Sequence, residues 1–273
     1  ARGRGGGGGG GAVIVPVERE VREPVAWSPP LAGRHAIVTG SSRGIGRAIA
    51  LRLAADGARV VVNYRADRAA AGEVVERIVA AGGEATAVGA DLGMPADIDR
   101  LFAAAAEAFG PLDILVNNAG VVLYGATCDV TDAEIDRVLA VNVRGSFLAM
   151  RHAARCLRDG GRVVNISTGY TRNPNPLVGV YTGSKTAVEQ IGMSMAKELG
   201  HRGITVNAVL PGLVETDGVT AHDRQRFEQV AAMTPAGRNG RPDDIADVVA
   251  FLASDAARWV TGQTIAATGG LSF

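Results

Sequence analysis

The sequence predicts an α/β fold, in which a doubly wound sheet of about seven parallel strands carries helices on both faces. Two observations lead to this prediction. Short runs rich in β-branched residues alternate along the chain with helical stretches. The runs are apolar at consecutive positions rather than at every second one, which indicates strands that are buried on both faces, as in a parallel sheet.

Seven segments are predicted as strands, and helices are expected between them. The strands are expected at residues 36–38, 59–64, 85–88, 114–116, 162–166, 204–209 and 263–265. A helix is expected at 45–55, and a capping-box pattern at Thr131 and Glu134 predicts the start of a long helix. Alternation of strand and helix favours right-handed crossovers.

Two regions of the chain differ in composition. With 273 residues, 47% of them apolar, the chain is long enough to bury one large core, and residues 31–273 are predicted to form a single domain. Residues 1–30 begin with Arg/Gly low-complexity sequence and continue with a segment that contains Pro16, Pro24, Pro29 and Pro30. We predict that this region is a flexible arm.

The charge balance argues against two kinds of partner. Lys plus Arg and Asp plus Glu each number 28, so there is no electrostatic reason to expect nucleic acid or an anionic membrane. No apolar run reaches the ~20 residues that span a bilayer. Cys128 and Cys156 lie far apart and the histidines lack metal-ligand spacing, so we expect a cytoplasmic protein with free thiols and no metal.

A glycine-spaced turn follows the first predicted strand. Gly40 permits a tight turn, Gly44 lets the backbone approach a phosphate, and Gly46 allows the next helix to pack closely on the strand. The helix amino terminus then offers free N–H groups and a positive dipole end to a pyrophosphate. Because the pattern lies between a buried strand and a helix, it predicts a Rossmann-type dinucleotide site.

The end of the second predicted strand bears on which nicotinamide cofactor binds. NAD-binding proteins usually place there an acidic residue that bonds the ribose hydroxyls. Here Asn63, Tyr64 and Arg65 occupy that place, so no carboxylate repels a 2′-phosphate. Arg43 and Arg65 can each form charge-assisted hydrogen bonds with that phosphate. NADP(H) is therefore favoured over NAD(H), although Arg65 could instead be a solvated loop charge.

The ends of the third and fourth strands complete the predicted cofactor site. Asp91 can accept a hydrogen bond from an adenine amino group, and small residues at 119–120 leave room for the cofactor. Asn117 either contributes to the cofactor site or has a purely structural role. The predicted site comprises Gly40, Ser42, Arg43, Gly44, Ile45, Gly46, Asn63, Tyr64, Arg65, Asp91, Leu92, Asn118, Ala119 and Gly120.

Tyr181 and Lys185 form the predicted catalytic pair. A tyrosine has a reference pKa of about 10, and a nearby ammonium favours the phenolate and lowers that value. Four-residue spacing places the two side chains one helical turn apart on the same face. The pair is suited to moving a proton on a carbonyl or an alcohol.

In combination these motifs resemble those of the short-chain dehydrogenase/reductase family, closest to its 3-oxoacyl-carrier-protein-reductase-like branch. The resemblance covers residues 31 to about 271. It rests on residues 39–46, Asp91, 117–120, Asn142, Ser167, Thr168, Tyr181, Lys185 and 211–212. It implies that Tyr181 is the acid–base residue, and that Lys185 lowers its pKa and bonds the nicotinamide ribose. Asn142 would hold a water in a proton relay to solvent.

The resemblance leaves one role open. The family places a serine hydroxyl thirteen residues before the tyrosine, where it steadies the substrate carbonyl oxygen. Counting back from Tyr181 reaches Thr168, whereas Ser167 would fill the role if the intervening loop held one extra residue. Thr168 is slightly favoured.

The resemblance also assigns the segment after the sixth strand. The loop that begins with Pro211 and Gly212 would contact the nicotinamide carboxamide through the Val214 backbone and the Thr216 hydroxyl. Residues 217–234 would form a lid that closes over the substrate. Family members are usually homotetramers, so a homotetramer or homodimer is expected.

The sequence therefore predicts an NADP(H)-dependent oxidoreductase that transfers a hydride between nicotinamide and a ketone or secondary alcohol. Pocket walls at 121–124 and 169–180 suit a moderately apolar small molecule. An NAD(H)-dependent alcohol, sugar or steroid dehydrogenase is the first alternative. A catalytically silent cofactor-binding sensor is the second, because a fold does not determine a function.

Overall fold

The computed structural model describes residues 29–217 and 224–271, and these contain a seven-stranded parallel sheet with strand order 3-2-1-4-5-6-7. The strands are β1 (His35–Val38), β2 (Arg59–Tyr64), β3 (Ala85–Gly89), β4 (Leu112–Asn117), β5 (Leu157–Ile166), β6 (Thr205–Pro211) and β7 (Thr264–Ala267). The predicted doubly wound fold is confirmed. Each predicted strand is present, and β5 begins earlier than expected because a short irregular segment at Leu157 also pairs with β4.

Helices connect the strands and cover both faces of the sheet. They are α1 (Gly44–Ala55), α2 (Arg68–Ala80), α3 (Pro95–Phe109), α4 (Asp132–Val138), α5 (Ser146–Cys156), α6 (Gly179–Leu199), α7 (Arg224–Met233) and α8 (Pro242–Ala253). In the described part of the chain no helix combines the length and apolar composition that a bilayer span requires.

Two apolar clusters hold these helices on the sheet. Val60 and Val62 of β2 face the cluster formed with α1, α2 and α8, whereas Val61 faces the cluster formed with α3, α5 and α6. All three valines are fully buried. Since successive strand residues point to opposite faces, burial on both faces explains why the strand sequences are apolar at consecutive positions.

The predicted long helix after Thr131 is divided. Both hydrogen bonds of the capping box between Thr131 and Glu134 are present, so the predicted start is confirmed. However, residues Leu139–Gly145 between α4 and α5 are π-helical. A π-helical turn inserts an extra residue and redirects the side chains around it, and such turns are frequent at functional sites.

The predicted domain boundary at residue 31 lies just inside the described part of the chain, which begins at Pro29. Residues 1–28 of the predicted arm lie outside the described residues. The Pro29 carbonyl accepts a hydrogen bond from the Ala32 amide at 3.0 Å, and Pro29 also lies against Gly57. Pro29 is therefore part of the folded unit.

Candidate active site

A cleft of about 900 Å³ opens at the carboxyl ends of β1 to β4. Strand order reverses between β1 and β4, and ligands of doubly wound sheets bind at such switch points. Its lining includes Gly40, Ser42, Arg43, Gly44, Ile45, Gly46, Asn63, Tyr64, Arg65, Asp91, Leu92, Asn118, Ala119, Gly120 and Thr216. The structure thus brings most of the predicted cofactor residues together, while Pro211, Gly212, Val214, Tyr181 and Lys185 lie outside this lining.

The glycine turn has the backbone geometry that its spacing predicts. Gly40 and Gly44 have φ angles of +61° and +56°, in the left-handed region that favours glycine. A Cβ atom on Gly46 would lie 2.3 Å from the Gly40 carbonyl oxygen and 2.4 Å from Asn118 Nδ2. Gly46 therefore leaves room for the turn itself and for Asn118, which donates to the Thr39 and Gly40 carbonyls at 2.9 Å.

The charges around the turn fit an anionic cofactor. Arg43 and Arg65 are exposed on the cleft, and among the described residues no carboxylate pairs with either guanidinium. The nearby Asp67 carboxylate instead caps α2 by accepting the Ala70 amide. At the amino end of α1 the Gly44 amide donates to an Asp217 oxygen at 3.5 Å, so this helix end already attracts an anionic oxygen.

Two predicted cofactor residues have partners within the protein. Asn63 is buried, and it accepts the Gly40 amide at 3.0 Å while donating to the Ala90 carbonyl at 3.2 Å. It thereby fastens the glycine turn to the segment after β3. The Asp91 carboxylate is paired with Arg137 at 3.0 Å, so a hydrogen bond to adenine would have to form beside that ion pair.

The sequence left open whether Asn117 belongs to the cofactor site or is structural, and its hydrogen-bond partner decides between these roles. Asn117 Nδ2 donates to Asn165 Oδ1 at 2.9 Å, and both side chains are buried between β4 and β5. Asn117 therefore has a structural role, joining two strands beneath the cleft.

Tyr181 and Lys185 lie on α6 and are both buried, with 9% and 5% of their surfaces exposed. The Thr168 hydroxyl hydrogen-bonds the Tyr181 phenol. Ser167 faces the other way, because its hydroxyl donates to Glu189, another buried residue of α6. Of the two candidate hydroxyls, the structure places Thr168 beside the tyrosine.

The pKa of Tyr181 differs from the sequence prediction. Burial raises it to about 12, and the hydrogen bond from Thr168 opposes that rise. Lys185 does not lower it in this structure. Burial lowers the pKa of Lys185 itself to about 8, and its Nζ donates to the Ile166 carbonyl at 2.8 Å. Helical spacing places both residues on one face but does not determine where a long lysine side chain ends.

Asn142 lies in the π-helical turn and is fully buried. Its Oδ1 accepts the Val121 amide at 2.8 Å, and its Nδ2 donates to the Val121 carbonyl and to Ser184 Oγ. Ser184 Oγ in turn donates to the Tyr181 carbonyl at 2.6 Å. Asn142 thus joins the loop after β4 to α6, and its amide hydrogens are not available to the predicted relay water.

Comparisons with known proteins show the family of this chain. A family model described as enoyl-(acyl carrier protein) reductase matches residues 40–272. A short chain dehydrogenase from Burkholderia cenocepacia, solved in complex with NADP, is 41% identical over 89% of this chain and 99% of its own, with a TM-score of 0.83. The chain belongs to the short-chain dehydrogenase/reductase family. It is accordingly an oxidoreductase.

Two further members of the short-chain dehydrogenase/reductase family are similar over nearly their whole length. A versicolorin reductase of Emericella nidulans is 44% identical over 253 residues, which cover 88% of this chain and 96% of the relative. The structure of the angucycline C-6 ketoreductase LanV with bound NADP is 45% identical, covers 90% of this chain and 98% of its own, and has a TM-score of 0.84.

Four site residues were missed at the sequence level. Glu189 lies one helical turn beyond Lys185 and Ser184 just before it, Arg137 pairs with Asp91, and Asn165 pairs with Asn117. Glu189 carried a signal, since it is a charged residue on the same helical face as buried Val188, Gly192 and Met195. The other three had none, because their partners come from distant segments.

Proposed function

We propose that the protein reduces a ketone to a secondary alcohol with NADPH, and that Tyr181 donates the proton. One observation carries the proposal: Tyr181 is buried on α6, one helical turn from Lys185 and beside the Thr168 hydroxyl. Burial raises the pKa of its phenol to about 12. At neutral pH such a phenol is protonated, and it is ready to donate to a developing alkoxide. The names of the similar versicolorin reductase and angucycline ketoreductase support the direction of reaction.

NADP(H) is the cofactor in this proposal. Arg43 and Arg65 supply two guanidinium groups at the cleft for the 2′-phosphate, and no carboxylate ends β2. The structures of the Burkholderia dehydrogenase and of the angucycline ketoreductase contain NADP. The α1 amino end and the glycine turn would hold the pyrophosphate.

In this proposal the cofactor and four residues of the chain each have a role in the reduction. When bound, the nicotinamide supplies the hydride. The Thr168 hydroxyl orients the substrate oxygen, and Tyr181 gives it a proton. Lys185, whose Nζ is held at the Ile166 carbonyl, contributes positive charge beside the ribose and helps to restore that proton. Asn142 positions the catalytic helix through Ser184 and Val121.

We propose that the protein assembles as a homotetramer or homodimer. Leu139 and Phe147 are 43% and 46% exposed, and they line a groove with Val143 and Ile191. Burial of this apolar surface against a second copy would remove it from water. Analytical ultracentrifugation of the purified chain tests the assembly, and a monomer at micromolar concentration would contradict it.

Replacement of Tyr181 by Phe tests the catalytic role. Removal of a general acid costs about 10²–10⁴ in rate, so turnover of an aryl ketone panel should fall by that factor. NADPH affinity, measured by fluorescence titration, should stay nearly unchanged because the ring remains. Retained turnover would reject Tyr181 as the proton donor.

Separate titrations with NADPH and NADH test the cofactor. The wild type should bind NADPH more tightly, and replacement of Arg43 and Arg65 by Gln should weaken NADPH binding while leaving NADH binding nearly constant. Equal affinity of the wild type for both cofactors would contradict the proposed role of the two arginines.

A further inference from the structure

Helix α7 belongs to the segment predicted as a lid, of which residues 218–223 lie outside the described residues. It contacts the predicted pocket wall through Arg226. Arg226 donates to the Tyr170 hydroxyl at 2.6 Å and to the Tyr124 hydroxyl at 3.4 Å. Its guanidinium also lies 5.3 Å from the centre of the Tyr124 ring. Arg226, Tyr124 and Tyr170 come from three separate segments, and we call them the Arg226 cluster.

The Arg226 cluster lies beside the proposed proton donor. The Tyr170 amide donates to Thr168 Oγ1 at 3.4 Å, and Thr168 in turn hydrogen-bonds Tyr181. Tyr124 and Tyr170 are also close enough to Tyr181 to raise its pKa. Both tyrosines belong to segments predicted as pocket walls. The guanidinium therefore lies on the substrate side of the reacting phenol, at the lid.

The charge of Arg226 has no counterion among residues 29–217 and 224–271. No carboxylate there lies within ion-pair distance, and the partners of the guanidinium are two phenol hydroxyls. Arg226 is partly buried, so some of its hydration is lost. A half-buried cation with hydroxyl partners is stabilised by an incoming anionic oxygen, and a guanidinium forms its strongest hydrogen bonds with such an oxygen.

We propose that Arg226 selects ketone substrates that carry a negatively charged oxygen, a carboxylate or an ionised phenol, away from the reacting carbonyl. This inference rests on the proposed function. The charged oxygen accepts hydrogen bonds from the guanidinium, and the Tyr124 ring, which already lies against this cation, contacts the adjoining part of the substrate. Arg226 is thus a specificity-determining residue, and it takes no part in proton transfer.

Pairs of substrates that differ in one charge test the inference. Aryl keto acids of increasing chain length are each compared with their methyl esters. Hydroxytetralones that carry a nitro group next to the hydroxyl, which ionises the phenol at neutral pH, are compared with their methyl ethers to separate phenolate from carboxylate. The value of kcat/KM is measured for the wild type, Arg226→Gln, Arg226→Lys and a matched control, Arg77→Gln. Arg77 lies exposed on α2, and its replacement makes the same change in net charge.

The wild type should prefer the charged member of at least one pair. Arg226→Gln should reduce this preference about tenfold, mainly through a higher KM for the charged member. Arg226→Lys should keep part of the preference, and Arg77→Gln all of it. Equal loss for charged and neutral members would show that Arg226 only fastens the lid, and would overturn the inference.

A binding measurement separates this inference from the proposed function. Calorimetric titration of the same acids and esters into the protein with NADP+, which has no hydride to give to a ketone, reports recognition without turnover. If the acids bind the wild type more tightly than their esters, and Arg226→Gln abolishes the difference, the inference holds even when no ketone is reduced. Equal affinity for acid and ester in every pair would overturn it.

Discussion

Thr168 and Ser167 are adjacent in sequence, yet their hydroxyls have different partners. Thr168 hydrogen-bonds the Tyr181 phenol, and Ser167 donates to Glu189 on the far side of the chain. Alternating side-chain direction in extended backbone explains the difference, since Thr168 has φ −157° and ψ 147°. A difference of one residue therefore decides which hydroxyl lies beside the Tyr181 phenol.

Replacement of Thr168 by Ala should lower kcat by about 10²–10³, the usual cost of removing a hydrogen-bond donor from the reacting oxygen. Thr168→Ser keeps the hydroxyl and should retain most of the activity. Ser167→Ala is the matched control, and its effect on kcat should be much smaller. Steady-state kinetics with one ketone and NADPH measure all three, and a larger loss in Ser167→Ala would assign the role to Ser167.

Glu189 is expected to control the charge of Lys185. Its carboxylate favours the ammonium and opposes the burial that lowers the Lys185 pKa to about 8. Glu189→Gln removes this charge but keeps an acceptor for Ser167, so the Lys185 pKa should fall further. Lys185 then loses its proton at lower pH, and the alkaline limb of kcat/KM for ketone reduction should move to lower pH.

The pH profile of Glu198→Gln provides the control for this prediction. Glu198 is exposed on the same helix, where it accepts a hydrogen bond from Ser194, and its replacement makes the same change in net charge. Its alkaline limb should match that of the wild type. An unshifted limb in Glu189→Gln would show that Glu189 serves only to hold Ser167.

At the scale of elements, the glycine turn and the start of α1 depend on one another. The turn carbonyl at Gly40 and the Asn118 amide occupy the space that a side chain at position 46 would need. Gly44, at the amino end of α1, lines the cleft. Local sequence was sufficient to predict this element, because glycines at this spacing between a strand and a helix are typical of a phosphate-binding turn.

Gly46→Ala should destabilise the protein by about 1–3 kcal/mol and abolish NADPH binding, because its Cβ would overlap backbone and the turn must shift. Gly72→Ala is the control. It lies within α2 with nothing within 4 Å of its Cβ position, so it should stabilise by roughly 0.5–1 kcal/mol. Urea unfolding and NADPH titration measure both, and a Gly46→Ala protein with normal cofactor affinity would contradict the assignment.

The π-helical turn at Leu139–Gly145 was not predicted from the sequence. The capping box at Thr131 marks the helix start by local hydrogen bonds, so that start was predictable. The change at Leu139 depends on Asn142, whose partners at Val121 and Ser184 come from a loop and from another helix. Tertiary contacts of this kind have no signature in helical periodicity.

At the scale of the whole molecule, the described strands and the cleft are formed by residues that follow Pro29. A chain that begins at Pro29 should therefore unfold with a free energy within about 0.5 kcal/mol of the full chain and bind NADPH equally well. Pro29 is kept because its carbonyl accepts the Ala32 amide. Thermal unfolding and cofactor titration compare the two chains, and a lower stability of the shorter one would show that the predicted arm contributes to the fold.

Sequence by itself determined the properties that arise over a few residues. Consecutive apolar positions predicted strands buried on both faces, glycine spacing predicted the phosphate turn, and a four-residue interval placed Tyr181 and Lys185 on one helical face. Only the tertiary structure decided which distant groups meet there: Thr168 rather than Ser167 at the phenol, Ile166 at the Lys185 ammonium, and Arg226 between two tyrosines. Backbone geometry sets local periodicity, whereas crossovers and loops set long-range contacts, and these contacts shift the pKa values of Tyr181 and Lys185.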